Sequence, residues 1–175
     1  MGKRSSGFAR VERDFYPTPK AAVEPLLPHL DARTRFVEPC AGDGRLVVHL
    51  EDAGHQCRYA CDIEPMAGWV SQRDVFDIQE VESIKAEMII TNPPWNRKFL
   101  HPFIEHCIGL APTWLLFDAD WMHTKQSANY MPYCSKIVSV GRVKWIEDSK
   151  MTGKDNCAWY LFGQHKSALT SFVGR

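Results

Sequence analysis

Phe36-Val37-Glu38-Pro39-Cys40-Ala41-Gly42-Asp43-Gly44-Arg45-Leu46 is the stretch whose reading decides the fold. A short β-rich apolar run stops at a proline, passes through a glycine-rich turn and enters a segment, Leu46 to Ala53, with helical spacing. Strand, tight turn and helix in that order open a crossover unit of a parallel sheet. The same rhythm continues outward. Cys57 to Cys61 ends at Asp62, Glu87 to Thr91 at Asn92-Pro93-Pro94, and Thr113 to Ala119 leads to Asp120, while Arg35 to Glu38 is the strand that Pro39 closes. Phe99 to Leu110 has helical spacing, and Gly54 and Gly109 fall where the two helices could close. Upstream, Pro17, Pro19, Pro25 and Pro28 punctuate a short helical segment carrying Val23, Leu26, Leu27 and Leu30 on one face, suited to cover a sheet. Downstream, Lys136 to Val140 and Cys157 to Phe162 flank a polar segment and predict an antiparallel pair joined by a mobile loop.

The composition excludes several classes. With 175 residues, 45% hydrophobic and 24% charged, the chain can bury a core and lies far from the disordered regime. Lysine plus arginine and aspartate plus glutamate number 21 each, so no global positive field draws it to nucleic acid and any such contact must be local. No run reaches the roughly 18 to 20 apolar residues of a membrane span, and Met1 to Arg13 is basic and polar without a signal-peptide core, so the expectation is a cytoplasmic protein with no membrane partner. Six scattered cysteines without a CxxC pair, and seven histidines without ligand spacing, predict reduced thiols and no metal site.

Ligands of open α/β sheets bind outside the carboxyl ends of the strands. At the first end, Gly42 and Gly44 allow close backbone approach to a ligand, and the helix start offers free N–H groups; the turn has neither the lysine of a P-loop nor a full dinucleotide fingerprint. At the second, Asp62 follows about twenty residues after the glycines, where a carboxylate can hold both hydroxyls of a ribose; its plainer reading is a solvated strand end. Asp74 is suited either to an exocyclic amine of adenine or to a helix cap. The third end carries most weight. Asn92 offers an amide oxygen, two prolines leave carbonyls without competing N–H groups, and Trp95 offers a flat face, a set that suits a planar substrate bearing an NH2 group.

Asn92-Pro93-Pro94-Trp95 resembles the catalytic tetrapeptide of S-adenosylmethionine-dependent amino methyltransferases, and Glu38 to Gly44 resembles their cofactor loop. Asp14-Phe15-Tyr16-Pro17-Thr18-Pro19 is similar to the segment that closes over the methionine end of the cofactor in adenine-N6 DNA methyltransferases, including phage-borne ones and those of prophages. The motif order matches the gamma arrangement of that family, and the resemblance covers roughly residues 14 to 163. It implies a Rossmann-like class I methyltransferase fold of the α/β class: a mostly parallel seven-stranded sheet with a final antiparallel strand and helices on both faces. It also implies that Tyr16 and Thr18 contact the methionine part of the cofactor, Glu38 its amino group, and Pro39 with Ala41, Gly42 and Gly44 its backbone cradle. Asp62 and Ile63 then serve the ribose, Asp74 and Val75 the adenine, and Asn92, Pro93, Pro94 and Trp95 a flipped target adenine, with Asn92 also at the cofactor.

Residues 1–13 are expected to form a flexible basic arm and 14–175 one methyltransferase domain without a separate target-recognition domain, which departs from relatives that read a defined site. Lys144, Lys150 and Lys154 surround Trp145 in the polar segment and suit a nucleic-acid backbone or a solvated hairpin loop equally. The expected partner is DNA, with RNA or a protein glutamine amide as the alternative substrate and a catalytically silent binding module as the rival of another class. Positioning behind an activated methyl group supplies roughly 7 to 11 kcal/mol in such chemistry, so no strong general base is required.

Overall fold

A computed structural model describes residues 16–81, 84–146 and 152–175. The basic arm, Asp14, Phe15 and Lys150 therefore lie outside the described residues. Eight strands form one sheet: β1 (Arg35–Glu38), β2 (Gln56–Asp62), β3 (Ser71–Gln72), β4 (Met88–Thr91), β5 (Thr113–Asp118), β6 (Cys134–Arg142), β7 (Asn156–Phe162) and β8 (Ser171–Val173). The order is β3-β2-β1-β4-β5-β7-β6-β8. β3 through β5 run parallel, β7 is antiparallel to both β5 and β6, and β8 is parallel to β6. The sheet thus has eight strands rather than seven, and its antiparallel strand sits inside the sheet rather than closing it. The strands not foreseen, β3 and β8, have two and three residues at the two edges and carry no readable alternation.

Strict period-two alternation explains why the central strands are apolar throughout. Val37, Ile89, Leu115 and Phe117 face one side and pack with Leu100, Phe103, Ile104 and Cys107 of α3 (Arg97–Leu110). Phe36, Ile90, Trp114 and Leu116 face the other and pack with α1 (Lys20–Val23) and α2 (Arg45–Asp52) through Ala22, Val23, Leu46, Val47 and Leu50. Successive side chains point to opposite faces, so a strand covered on both sides must be hydrophobic at every position. The proline-rich segment does cover the sheet, and its seat is fixed by the Trp159 indole, which donates to the Ala22 carbonyl at 2.7 Å.

Gly54, in the left-handed conformation, closes α2 as expected. Gly109 does not close α3. That helix runs on to Leu110, and Ala111 turns extended because Pro112 follows it. Among the described residues no helix is long and apolar enough to cross a membrane.

Candidate active site at the carboxyl ends of the parallel strands

β1 connects outward to β2 on one side while β4 lies on its other side, so the crevice of the sheet opens at the ends of β1 and β4. A cavity of about 670 Å³ occupies it. Its lining brings together Tyr16 and Thr18, Glu38, Pro39 and Ala41, Asp62 and Ile63, Asp74 and Val75, and Asn92 and Pro94. These residues are separated by up to 78 positions in sequence and meet because the parallel strands all end on one side.

Glu38 is the most constrained of them. Its side chain is 1% exposed, and Oε2 has no hydrogen-bond partner among the described residues. Burial, reinforced by the charges of Asp62 and Asp43, holds its carboxyl well above the usual carboxylate range, while the Val47 backbone N–H pulls the other way. A buried oxygen without a donor is costly unless a ligand supplies one.

The glycine turn is braced by β2. The Gly42 N–H donates to Asp62 Oδ2 at 2.8 Å, the Glu64 N–H donates to Oδ1 at 2.8 Å, and the Met66 N–H donates to the Gly42 carbonyl at 2.9 Å. Asp62 therefore holds the loop as well as facing the cavity. Gly44 does not face it. At φ +79°, Gly44 lies beneath the six-membered ring of Trp69, which occupies the space a Cβ would need. Asp74 acts as a cap, its Oδ1 accepting the Phe76 N–H at 3.0 Å at the start of the turn Val75–Asp77, and it also lines the cavity.

At the far end, the Asn92 amide is fixed in direction. Nδ2 donates to Thr18 Oγ1 at 3.1 Å, and Oδ1 accepts from Trp95 Nε1 at 3.2 Å. An indole N–H is a donor only, so the oxygen must be the atom that faces it. Trp95 Nε1 also approaches the Leu116 carbonyl at 3.2 Å, and the half-buried ring meets Trp145 edge to face with centroids 5.7 Å apart. Trp95 and the buried Pro93 lie beside the cavity rather than in its lining. Lys144 and Lys154 are exposed on the two sides of Trp145 in sequence.

Sequence reasoning did not single out Cys40, Leu46, Met66, Asn96 and Phe99, which also line the cavity. Cys40 stands within the quoted loop, and burial pushes its thiol well up, so it stays protonated. Phe99 and Asn96 follow directly on the tetrapeptide, a position that marks them. Among the described residues no group of histidine, cysteine, aspartate and glutamate is arranged to hold a metal ion.

No protein-family model and no curated protein matches the sequence. Solved structures do. The chain is similar to a candidate RNA methyltransferase from Pyrococcus horikoshii, at 18% identity and a TM-score of 0.60, over 91% of this chain and 92% of that one. It is similar to the methyltransferase subunit of a type I restriction-modification system from Streptococcus thermophilus, at 8% identity and a TM-score of 0.59, covering 91% of this chain and 47% of that subunit. A 23S rRNA methyltransferase matches at 14% identity and a TM-score of 0.56, over 90% of this chain and 72% of that one. The chain spans about half of the type I subunit. The sheet and these likenesses define a Rossmann-like class I methyltransferase fold.

Proposed function

We propose that this chain is an S-adenosylmethionine-dependent methyltransferase acting on the exocyclic N6 of adenine in DNA, within a short or relaxed sequence context. One observation carries the reading: a single cavity joins the buried, unpartnered Oε2 of Glu38 to the Asn92-Pro93-Pro94 end of β4. Its volume falls within the range of about 300 to 1,000 Å³ typical of small-ligand pockets.

The residues present fit the cofactor. Its amino group is a cation of the kind Glu38 Oε2 lacks as a partner, and Asp62, whose oxygens each take one backbone N–H, keeps acceptor capacity for ribose hydroxyls. Asp74 and Val75 also line the cavity and are assigned here to the adenine. When bound, the cofactor supplies a methyl group already activated on a sulfonium.

The chain's own part is orientation. Thr18 and Trp95 hold the Asn92 amide from opposite sides, leaving Oδ1 one further lone pair for an amine hydrogen. The Pro93 carbonyl takes no hydrogen bond among the described residues and is available for the second. Two acceptors on one NH2 group direct its lone pair away from the ring and favour the positive charge that develops on nitrogen during transfer. Trp95 beside them is the surface for a base swung out of its helix, which recovers about 1 to 3 kcal/mol of lost stacking.

Methyl transfer from labelled cofactor to duplex DNA, RNA and a glutamine-containing protein in parallel tests the reading. N6-methyladenine in DNA, mapped on random-sequence duplexes, is the expected product. Label in RNA or protein alone would move the same chemistry to another substrate, and cofactor binding without transfer to any of them would leave a silent binding module.

A further inference from the structure

Immediately after the tetrapeptide, Asn96 caps α3 by accepting the Lys98 N–H at 3.1 Å, and Arg97 and Lys98 project from the first turn as exposed side chains. Arg97 is held in place. Its Nη1 donates to Gln126 Oε1 at 2.7 Å, across to the turn Lys125–Asn129 that follows β5. The residues on either side of that turn are fastened to α3: the Trp121 indole donates to His101 Nε2 at 3.2 Å, Tyr130 stacks on His101 with centroids 4.9 Å apart, and the Tyr130 hydroxyl donates to Glu105 at 2.8 Å. Exposed Lys125 directly precedes Gln126, the residue that holds Arg97.

The choice of anchor matters. An arginine pinned by a carboxylate has its charge largely neutralised, whereas one pinned by a neutral amide is oriented and keeps its charge. Two carboxylates stand at the end of β5 and just after it. Asp118 is half-buried and accepts the Asp120 N–H at 2.9 Å; burial raises its carboxyl while the nearby Arg97 charge pulls it down, yet neither Asp118 nor Asp120 forms an ion pair with Arg97, Lys98 or Lys125 among the described residues. Pro94 and Asn96 line the cavity, and Arg97 and Lys98 follow Asn96 directly in the chain.

We propose that Arg97, oriented by Gln126 and flanked by Lys98 and Lys125, is a clamp for backbone phosphates of duplex DNA beside the adenine delivered to Asn92. The inference rests on the reading of the cavity given above and adds to it the surface on which the substrate docks. In a chain of zero formal net charge, attraction for a polyanion must come from such a local group. A phosphate clamp contributes affinity without sequence information, in keeping with a relaxed target context.

The test compares the full chain with Arg97→Ala and with the Arg97→Ala, Lys98→Ala, Lys125→Ala triple variant. Binding of a short fluorescent DNA duplex and of an RNA hairpin is titrated against salt, alongside calorimetry with S-adenosylhomocysteine and methyl transfer by the unaltered chain. The expected result is weaker duplex binding in both variants. The slope of log affinity against log salt should fall by about 0.9 for each phosphate contact removed, with S-adenosylhomocysteine affinity unchanged. Unchanged duplex affinity and slope in the triple variant overturn the clamp, even where the unaltered chain methylates DNA. Loss confined to the RNA hairpin overturns it for DNA. Duplex binding that depends on Arg97 without any methyl transfer upholds the clamp and removes the catalytic reading instead.

Discussion

Replacing Glu38 by glutamine separates what the fold prefers from what the ligand needs. The side chain is 1% exposed, with one oxygen unpartnered and the charges of Asp62 and Asp43 nearby. Its carboxyl is held above the usual range, so the folded chain binds a proton more tightly there than the unfolded chain does. Stability without ligand therefore declines as pH rises from the ordinary carboxylate value through the raised one, because the folded state alone must hold an unfavourable charge. Glu38→Gln removes that charge and flattens the decline. Each pH unit between the ordinary and the raised carboxyl value costs about 1.4 kcal/mol of stability, and at this chain length each kcal/mol moves Tm by about 2 to 4 °C, so the ligand-free variant should melt higher at neutral pH. Cofactor affinity should move the other way. Losing a charge-assisted hydrogen bond worth about 1.5 to 3 kcal/mol weakens binding by roughly tenfold or more. Scanning calorimetry without ligand and titration calorimetry with S-adenosylhomocysteine, which keeps the amino group, measure both quantities. Binding to the unaltered protein should also release a proton at pH values where free Glu38 is protonated, visible as a dependence of the heat on buffer ionisation. A variant that binds as tightly as the parent, or melts lower, would refute the assignment of Oε2 to a cationic ligand group.

Asp62→Ala should weaken S-adenosylmethionine binding by about tenfold, or about 1.4 kcal/mol, and should also raise hydrogen exchange at Gly42 and Glu64, whose N–H groups it now holds; unchanged affinity by calorimetry removes it from the site. Asn92→Ala should lower turnover about a hundredfold, or about 2.7 kcal/mol, with little change in cofactor affinity, and near-parental methylation of DNA would end its proposed role. Trp95→Phe keeps an aromatic face but loses the indole donor shared by Asn92 Oδ1 and the Leu116 carbonyl, so it should melt lower and turn over more slowly while retaining more activity than Trp95→Ala. Equal activity of the two folded variants would contradict a stacking surface.

The central strands were legible because both faces of the sheet are covered, which forces unbroken apolar runs such as Trp114 to Phe117. β3 and β8 were not, since two or three residues at an edge, mostly exposed, leave no pattern. The cavity lining was readable at the strand ends, where Glu38, Asp62 and Asn92 announce themselves by position. What those side chains already hold was not readable: the partners of Trp95 include the Leu116 carbonyl and Trp145, brought close only by the sheet. Gly44 looked like a place for ligand approach, yet its left-handed backbone makes room for Trp69, a contact between residues with no local signature. Nothing in the sequence links Arg97 and Lys98 with Lys125; the bond from Arg97 to Gln126 joins their two segments.

The hydrogen bond from Trp159 to the Ala22 carbonyl sets a timetable for the molecule. Ala22 lies just beyond Tyr16 and Thr18, while Trp159 belongs to β7, 137 positions further along the chain. A chain emerging from its amino end has made Glu38, Asp62 and Asn92 long before this seat exists, so the wall of the cavity that contains Thr18 is fastened to β7 only once that strand has been made. Ligand retention during translation should accordingly begin late and abruptly, with the appearance of β7, and not grow in step with the strands that line the cavity.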